Sequence, residues 1–193
     1  MIRLATEADI PQILTVYAPY VEHTTHTFEY CVPTQAAFRD RFCAITEKFP
    51  WLVWEEDGTV LGYAYGSTLF ERAAYQWCAE VSIYLAPQVH GRGVGRRLYT
   101  ALEQILFFQG YRVLQALVTQ ENVGSLGFHQ ALGYREVAKL PACGVKFDRW
   151  LGVTYLEKRA EIGEIPSISP TSFLSIVNND RNFTKILDIL SLS

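Results

Sequence analysis

Hydrophobic positions along the chain change period several times, and each change marks an element. Residues 2–6, Ile-Arg-Leu-Ala-Thr, alternate and predict a short first strand. Thr6 stands where a helix cap belongs, Glu7 and Asp9 occupy the acidic first turn, and Ile10, Leu14 and Tyr17 follow at helical spacing. Residues 23–30, HTTHTFEY, are polar and β-branched and predict a loop. A second helix starts at Pro33–Thr34, with Phe38, Arg41, Phe42, Ile45 and Phe49 along one face.

Residues 51–69 read as a hairpin, two β-rich runs flanking the turn signal Asp57–Gly58. A further strand, 78–87, is stopped by Pro87. After a glycine-rich loop, Val94, Leu98, Ala101, Leu102, Ile105 and Phe108 recur at helical spacing until Gly110 ends the helix. A strand at 111–119, a short helix opened by Asn122 and closed by Gly133, and strands near 134–146 and 149–159 complete the order. The predicted succession, β-α-α-β-β-β-loop-α-β-α-β-β, is a mixed α/β (α+β) domain over residues 1–159. From Ala160 the chain turns rich in Ser, Ile and Asn, with two prolines. It reads as a C-terminal extension, 160–193, of unknown role, with a short amphipathic helix near 181–191.

Composition narrows the function classes. The chain has 193 residues, half of them hydrophobic and 19% charged, enough apolar material for one core. A net charge of −3 argues against a nucleic-acid partner. Apolar runs stay short of the 18 residues a membrane helix needs, and the opening MIRLATEADIP lacks the apolar segment of a secretion signal. The four cysteines, Cys31, Cys43, Cys78 and Cys143, lie far apart without a C-x-x-C pair. They predict neither a disulfide framework nor a metal site, but free thiols in a reducing, cytoplasmic setting.

The segment HGRGVGRR, residues 90–97, is the first candidate for chemistry. A glycine-rich turn between strand and helix lets backbone N–H groups approach an anion, and the helix N-terminus adds favourable partial charge. A nucleotide P-loop needs Gly-Lys-Ser/Thr at its end, and here Gly-Arg-Arg stands there. A dinucleotide fingerprint needs G-x-G-x-x-G, and Arg96 occupies its last position. Neither fits.

His90-Gly91-Arg92-Gly93-Val94-Gly95 does resemble the pyrophosphate loop of the GNAT acetyltransferase superfamily, Q/R-x-x-G-x-G/A. It departs at the first position, where His90 replaces Gln or Arg and still offers a hydrogen-bond donor. In that superfamily the next strand leads into a helix with an N-terminal Asn and a closing Gly-aromatic pair. Asn122, Ser125, His129, Gly133 and Tyr134 stand at that spacing. The stretches FPWLVWEEDG, AAYQWCAEVSIYLAP, FHQALGYREV and GVKFDRW are similar to one branch. That branch holds phosphinothricin N-acetyltransferases and methionine sulfoximine/sulfone acetyltransferases, and the similarity spans residues 1–159.

The resemblance implies a mostly antiparallel mixed sheet flanked by helices, and acetyl transfer from acetyl-CoA to a small amine, without a metal. It places Glu80 as catalytic base and His129 as a second catalytic group, acid or base. It implies cofactor contacts from Ile83, Tyr84 and Leu85 on a splayed strand, from His90, Gly91, Arg92, Gly93, Val94, Gly95 and Arg96 in the loop, and from Asn122 and Ser125. A backbone N–H near Ile83 would meet the oxyanion. Arg72 would bind an acceptor carboxylate, with Phe28, Tyr75 and Trp77 as apolar walls and Lys146 a weaker candidate opposite. A homodimer with the site near its interface is expected. Two other readings stay open: a polyamine, antibiotic or protein N-terminus as acceptor, and a non-catalytic acyl-CoA-binding module.

Overall fold

The structure, a computed structural model, describes residues 1–160 and 166–192. Among these, seven strands form one sheet: β1 (Ile2–Leu4), β2 (Trp51–Glu56), β3 (Thr59–Thr68), β4 (Cys78–Leu85), β5 (Val113–Thr119), β6 (Arg135–Lys146) and β7 (Arg149–Arg159). Their order is β1-β2-β3-β4-β5-β7-β6, and every neighbouring pair is antiparallel except β4 and β5. Six α-helices accompany them: α1 (Ile10–His23), α2 (Gln35–Thr46), α3 (Val94–Gln109), α4 (Val123–Ala131), α5 (Phe173–Val177) and α6 (Asp180–Leu192).

The predicted succession is the observed one, and the shifts at element ends have local causes. Glu7–Asp9 form a tight 3-10 turn before α1, because Asp9 turns back to accept from the Thr6 N–H at 2.8 Å and from Arg3 twice at 2.7 Å. Thr34 caps α2 by accepting from the Ala37 N–H. Phe49 is not on that helix. It precedes Pro50, which disfavours helical backbone before it, and its ring turns to the other side of the sheet to stack on Tyr111. Gly110 closes α3 at φ +104°. A side chain there would be strained, and the Tyr111 N–H reaches back to the Leu106 carbonyl as the closing bond.

Two cores follow from the two faces of the sheet. One packs Ile10, Ile13, Leu14, Tyr17 and Val21 of α1 and Phe38 and Phe42 of α2 on Trp51, Val53 and Tyr63. The other packs Leu98, Leu102, Ile105 and Leu106 of α3 on Leu52, Ala64, Val81 and Leu114. The C-terminal extension joins this second core: Phe173, Ile176 and Ile186 are buried in it. The buried Gln109 amide donates to the carbonyls of Lys48 and Thr171, both at 2.9 Å, tying the end of α3 to the extension. The amphipathic helix expected near 181–191 is α6.

Candidate acetyl-transfer site

β4 and β5 make the sheet's one parallel contact, and it is short. Cys78, Ala79 and Glu80 pair with Val113, Leu114 and Gln115, and then the strands part. A parallel pair left open in mid-sheet exposes two rows of backbone donors and acceptors, which an extended ligand can satisfy. On the other side β4 stays paired to β3 through Leu85. The carbonyls of Val81 and Leu85 face the gap, since the hydroxyls of Tyr99 and Tyr20 reach them at 3.4 and 2.6 Å. Backbone groups alternate along a strand, so the N–H and C=O of Ile83 turn the same way.

An outer cleft of about 450 Å³ lies over this gap, lined by Ile83, Leu85, His90, Gly91, Asn122, Ser125 and others. Gly91 and Gly93 adopt φ +72° and +79°, a conformation that only glycine takes cheaply, and a Cβ at either would meet nothing. Their requirement is therefore backbone shape. Gly95 differs: a Cβ there would come 3.1 Å from Leu85 and 3.4 Å from Phe128, so it lets α3 approach closely. Val94 is buried in the core at the first turn of α3. His90 folds back with Nε2 3.2 Å from the Leu85 carbonyl. Arg92 pairs with Glu56 at 2.7 Å on the hairpin side, while Arg96 is exposed. Asn122 caps α4 by accepting from the Ser125 N–H.

Beneath the outer cleft a narrow cavity runs between the parted strands, lined by Val81, Ser82, Ile83, Ala116, Leu117, Asn122, Ser125 and His129, among others. His129 is only 3% exposed. Its Nδ1 lies 2.7 Å from the Ser125 carbonyl, which can only accept, so Nδ1 carries the proton. Burial pushes its pKa down, against the bond to Ser125. The ring is therefore neutral, and Nε2 accepts from the Tyr99 hydroxyl at 2.8 Å.

On the far side of the gap opens a second cleft of about 420 Å³. Glu80 stands in its wall beside Phe28, Ser82, Tyr84, Leu117 and Tyr155. Burial pushes the Glu80 carboxyl pKa up, so it holds a proton at higher pH than an ordinary glutamate. Thr119, also in this wall, is buried with a hydroxyl that has no hydrogen-bond partner among the described residues. A Cβ on Gly144 would lie 2.3 Å from the Phe28 ring, so this glycine makes room for it.

The expected acceptor residues thus divide. Phe28 lines the cleft. Arg72 and Tyr75 lie on an exposed turn between β3 and β4, where Tyr75 packs on Phe70, and neither lines the cleft. Trp77 is also outside it, its indole N–H donating to the Ile168 carbonyl. Lys146 is buried, donating to the Thr27 carbonyl at 2.9 Å. Sequence reasoning missed His26, Thr27, Thr119, Leu140 and Cys143, which line the same cleft. The two histidines and three threonines crowded into residues 23–27 are the available signal, but a stretch without period says only that it is a loop.

Residues 2–154 match the family described as Acetyltransferase (GNAT) domain. The chain is 34% identical over 165 residues to a phosphinothricin N-acetyltransferase of Alcaligenes faecalis, covering 84% of each. It is 30% identical to an L-methionine sulfoximine/L-methionine sulfone acetyltransferase of Salmonella typhimurium, covering 81% of this chain and 92% of that one. A solved phosphinothricin acetyltransferase from Sinorhizobium meliloti, in complex with acetyl-CoA, superposes with a TM-score of 0.80 at 33% identity, covering 89% of this chain and 92% of that one. The chain belongs to the GNAT acetyltransferase family and is an acetyl-CoA-dependent N-acetyltransferase.

Proposed function

We propose that this enzyme acetylates the amine of a small amino-acid-like acceptor of the phosphinothricin, methionine sulfoximine or methionine sulfone type. One observation carries the reading. Glu80 is the last residue of the β4–β5 pairing and stands in the wall of a mixed apolar and polar cleft that opens where the strands part. An amine held there lies beside both a carboxylate and the gap.

In this reading the cofactor's pantetheine arm continues the sheet along Ile83, Tyr84 and Leu85. The loop from His90 to Arg96 holds the pyrophosphate, and Asn122 and Ser125 border the arm. Glu80 takes the excess proton of the acceptor ammonium, for which a raised pKa fits better than an ordinary one. The Ile83 N–H donates to the oxyanion as the amine adds to the thioester carbonyl. His129, kept neutral by burial and held in place by Ser125 and Tyr99, supplies the polar group on the sulfur side. Arg72 is proposed for the carboxylate. Phe28 supplies an apolar wall; Tyr75 and Trp77, outside the cleft, would add to it only by moving toward the bound acceptor.

The same reading makes the enzyme a cytoplasmic homodimer that takes neither nucleic acid nor membrane as partner. Among the described residues no helix is long and apolar enough to cross a membrane. β6 is an edge strand of 12 residues with Val137, Leu140 and Val145 exposed, next to an exposed Trp150, a surface that a second copy would cover. Light scattering should give twice the chain mass.

The deciding assay is thiol release from acetyl-CoA with phosphinothricin, methionine sulfoximine, methionine sulfone, plain amino acids, a polyamine and a peptide. Turnover concentrated on the first three, with an acceptor KM raised at least tenfold in Arg72→Ala, is expected. Turnover of only the polyamine or the peptide overturns the acceptor class. Wild-type KM in Arg72→Ala moves the carboxylate site elsewhere.

A further inference from the structure

The outer cleft, the narrow cavity and the acceptor cleft share few residues. Tyr20, Ile83, Asn122 and Ser125 border the first two, and Ser82, Tyr84 and Leu117 border the last two. Among the described residues only His26 lines all three. Glu80 lines the acceptor cleft alone and His129 the narrow cavity alone. Net acetyl transfer moves one proton from the attacking nitrogen to the departing sulfur, so a group between the two sides is needed, or water must carry it.

The segment around His26 is pinned. The Thr24 hydroxyl accepts from the His26 N–H at 3.1 Å, and the Thr25 hydroxyl donates to Glu121 at 3.1 Å. Thr27 bonds Tyr17 at 2.8 Å through its hydroxyl and accepts from Lys146 at 2.9 Å through its carbonyl. The imidazole itself packs against the Tyr20 ring, centroids 5.9 Å apart, and makes no ring hydrogen bond among the described residues. It contrasts with His129, whose ring nitrogens are both engaged.

We propose that His26 is a catalytic residue that carries the proton from the acceptor amine to the leaving thiolate. The proposal rests on the acceptor cleft identified above. As the amine nitrogen bonds to the acetyl carbon, a ring nitrogen of His26 takes the N–H proton. As the carbon–sulfur bond breaks with its electron pair on sulfur, the imidazolium returns that proton to the thiolate. Amide and free thiol form, and the imidazole ends neutral. The ammonium's earlier, excess proton goes to Glu80. Desolvation, reinforced by the Lys146 ammonium, pushes the His26 pKa down, so the ring starts neutral and able to accept. The other ionisable groups facing this segment are Tyr20, Tyr84 and His129 in the narrow cavity, Glu80, Cys143 and Tyr155 in the acceptor cleft, His90 in the outer one, Tyr17 bonded to Thr27, and Glu121 bonded to Thr25.

The test is steady-state kinetics of His26→Gln, His26→Ala and Glu80→Gln with acetyl-CoA and whichever amine of the panel turns over fastest. His26→Gln should lose about 100-fold in kcat, within the range of general acid–base catalysis, with both KM values within threefold of wild type. Added imidazole should restore part of the rate to His26→Ala and none to His26→Gln. A kcat for His26→Gln within threefold of wild type, or a raised KM at unchanged kcat, overturns the shuttle and leaves His26 as a cleft wall. If Glu80→Gln loses turnover while His26→Gln keeps it, only the shuttle fails. If both keep it, the acceptor-cleft reading fails as well.

Discussion

The two halves of the site are built in opposite ways. The proposed cofactor half comes from three short, contiguous stretches, residues 83–85, 90–96 and 122–129, and its key features are local: strand backbone, left-handed glycines and a side-chain cap. The proposed acceptor half draws His26 to Phe28 from a loop, Glu80 to Tyr84 from β4, Leu117 and Thr119 from β5, and Leu140 to Tyr155 from the β6–β7 hairpin. Backbone shape within one stretch leaves a spacing pattern. Side chains converging from four segments leave none, and each can change without disturbing its neighbours in sequence. The common chemistry of a family therefore concentrates in the first kind of site, and discrimination among acceptors in the second.

Glu80→Gln is the strongest test, because Glu80 stands where the halves meet. It should lower kcat by about 100-fold or more while leaving acetyl-CoA binding intact. In the wild type, activity should rise with pH through the raised Glu80 pKa, since the ionised form is the base. That acid limb should lie above the ordinary glutamate range and vanish in Glu80→Gln, whose residual rate is set by water. An unshifted limb in the variant would assign the titration to another group.

Substitutions at two glycines separate the halves. Gly93→Ala forces a side chain into φ +79° at a cost of roughly 1–2 kcal/mol. It should raise the acetyl-CoA KM about tenfold by the same arithmetic and leave the acceptor KM alone. Gly144→Ala drives a Cβ into the Phe28 ring, an overpacking worth about 1–3 kcal/mol. It should raise the acceptor KM and spare that of acetyl-CoA. Equal changes in both KM values from either variant would show the halves to be mechanically coupled, and the contrast drawn above would not hold.

Legibility in the sequence follows the same division. The strand and helix succession was readable because apolar residues keep their period, and the loop and α4 because glycine and Asn122 mark turns. Glu80 was placed through its resemblance, and the structure puts it at the parting of β4 and β5. His26 was passed over because a polar, β-branched stretch has no period, and nothing local says that it borders three cavities. Arg72, Tyr75 and Trp77 show the reverse: a local match does not report which cavity a side chain lines. The core role of residues 173–186 was equally hidden, since three scattered apolar residues at Phe173, Ile176 and Ile186 look ordinary until α3 is beside them.

His90→Gln is the mildest change and bears on how much of the cofactor half depends on side chains. Among the described residues the His90 ring makes one hydrogen bond, its Nε2 at 3.2 Å from the Leu85 carbonyl, at an exposed position. That carbonyl also accepts from Tyr20 at 2.6 Å, so it keeps a partner whatever stands at position 90. A glutamine amide offers the same donor on a chain of similar reach. The acetyl-CoA KM should therefore stay within about twofold, less than the ~1 kcal/mol typical of one hydrogen bond would give if it were lost outright. A tenfold rise would mean that the imidazole ring itself takes part in holding the cofactor. The loop would then be specified by a side chain as well as by its glycines, and the cofactor half would be less purely a matter of backbone shape.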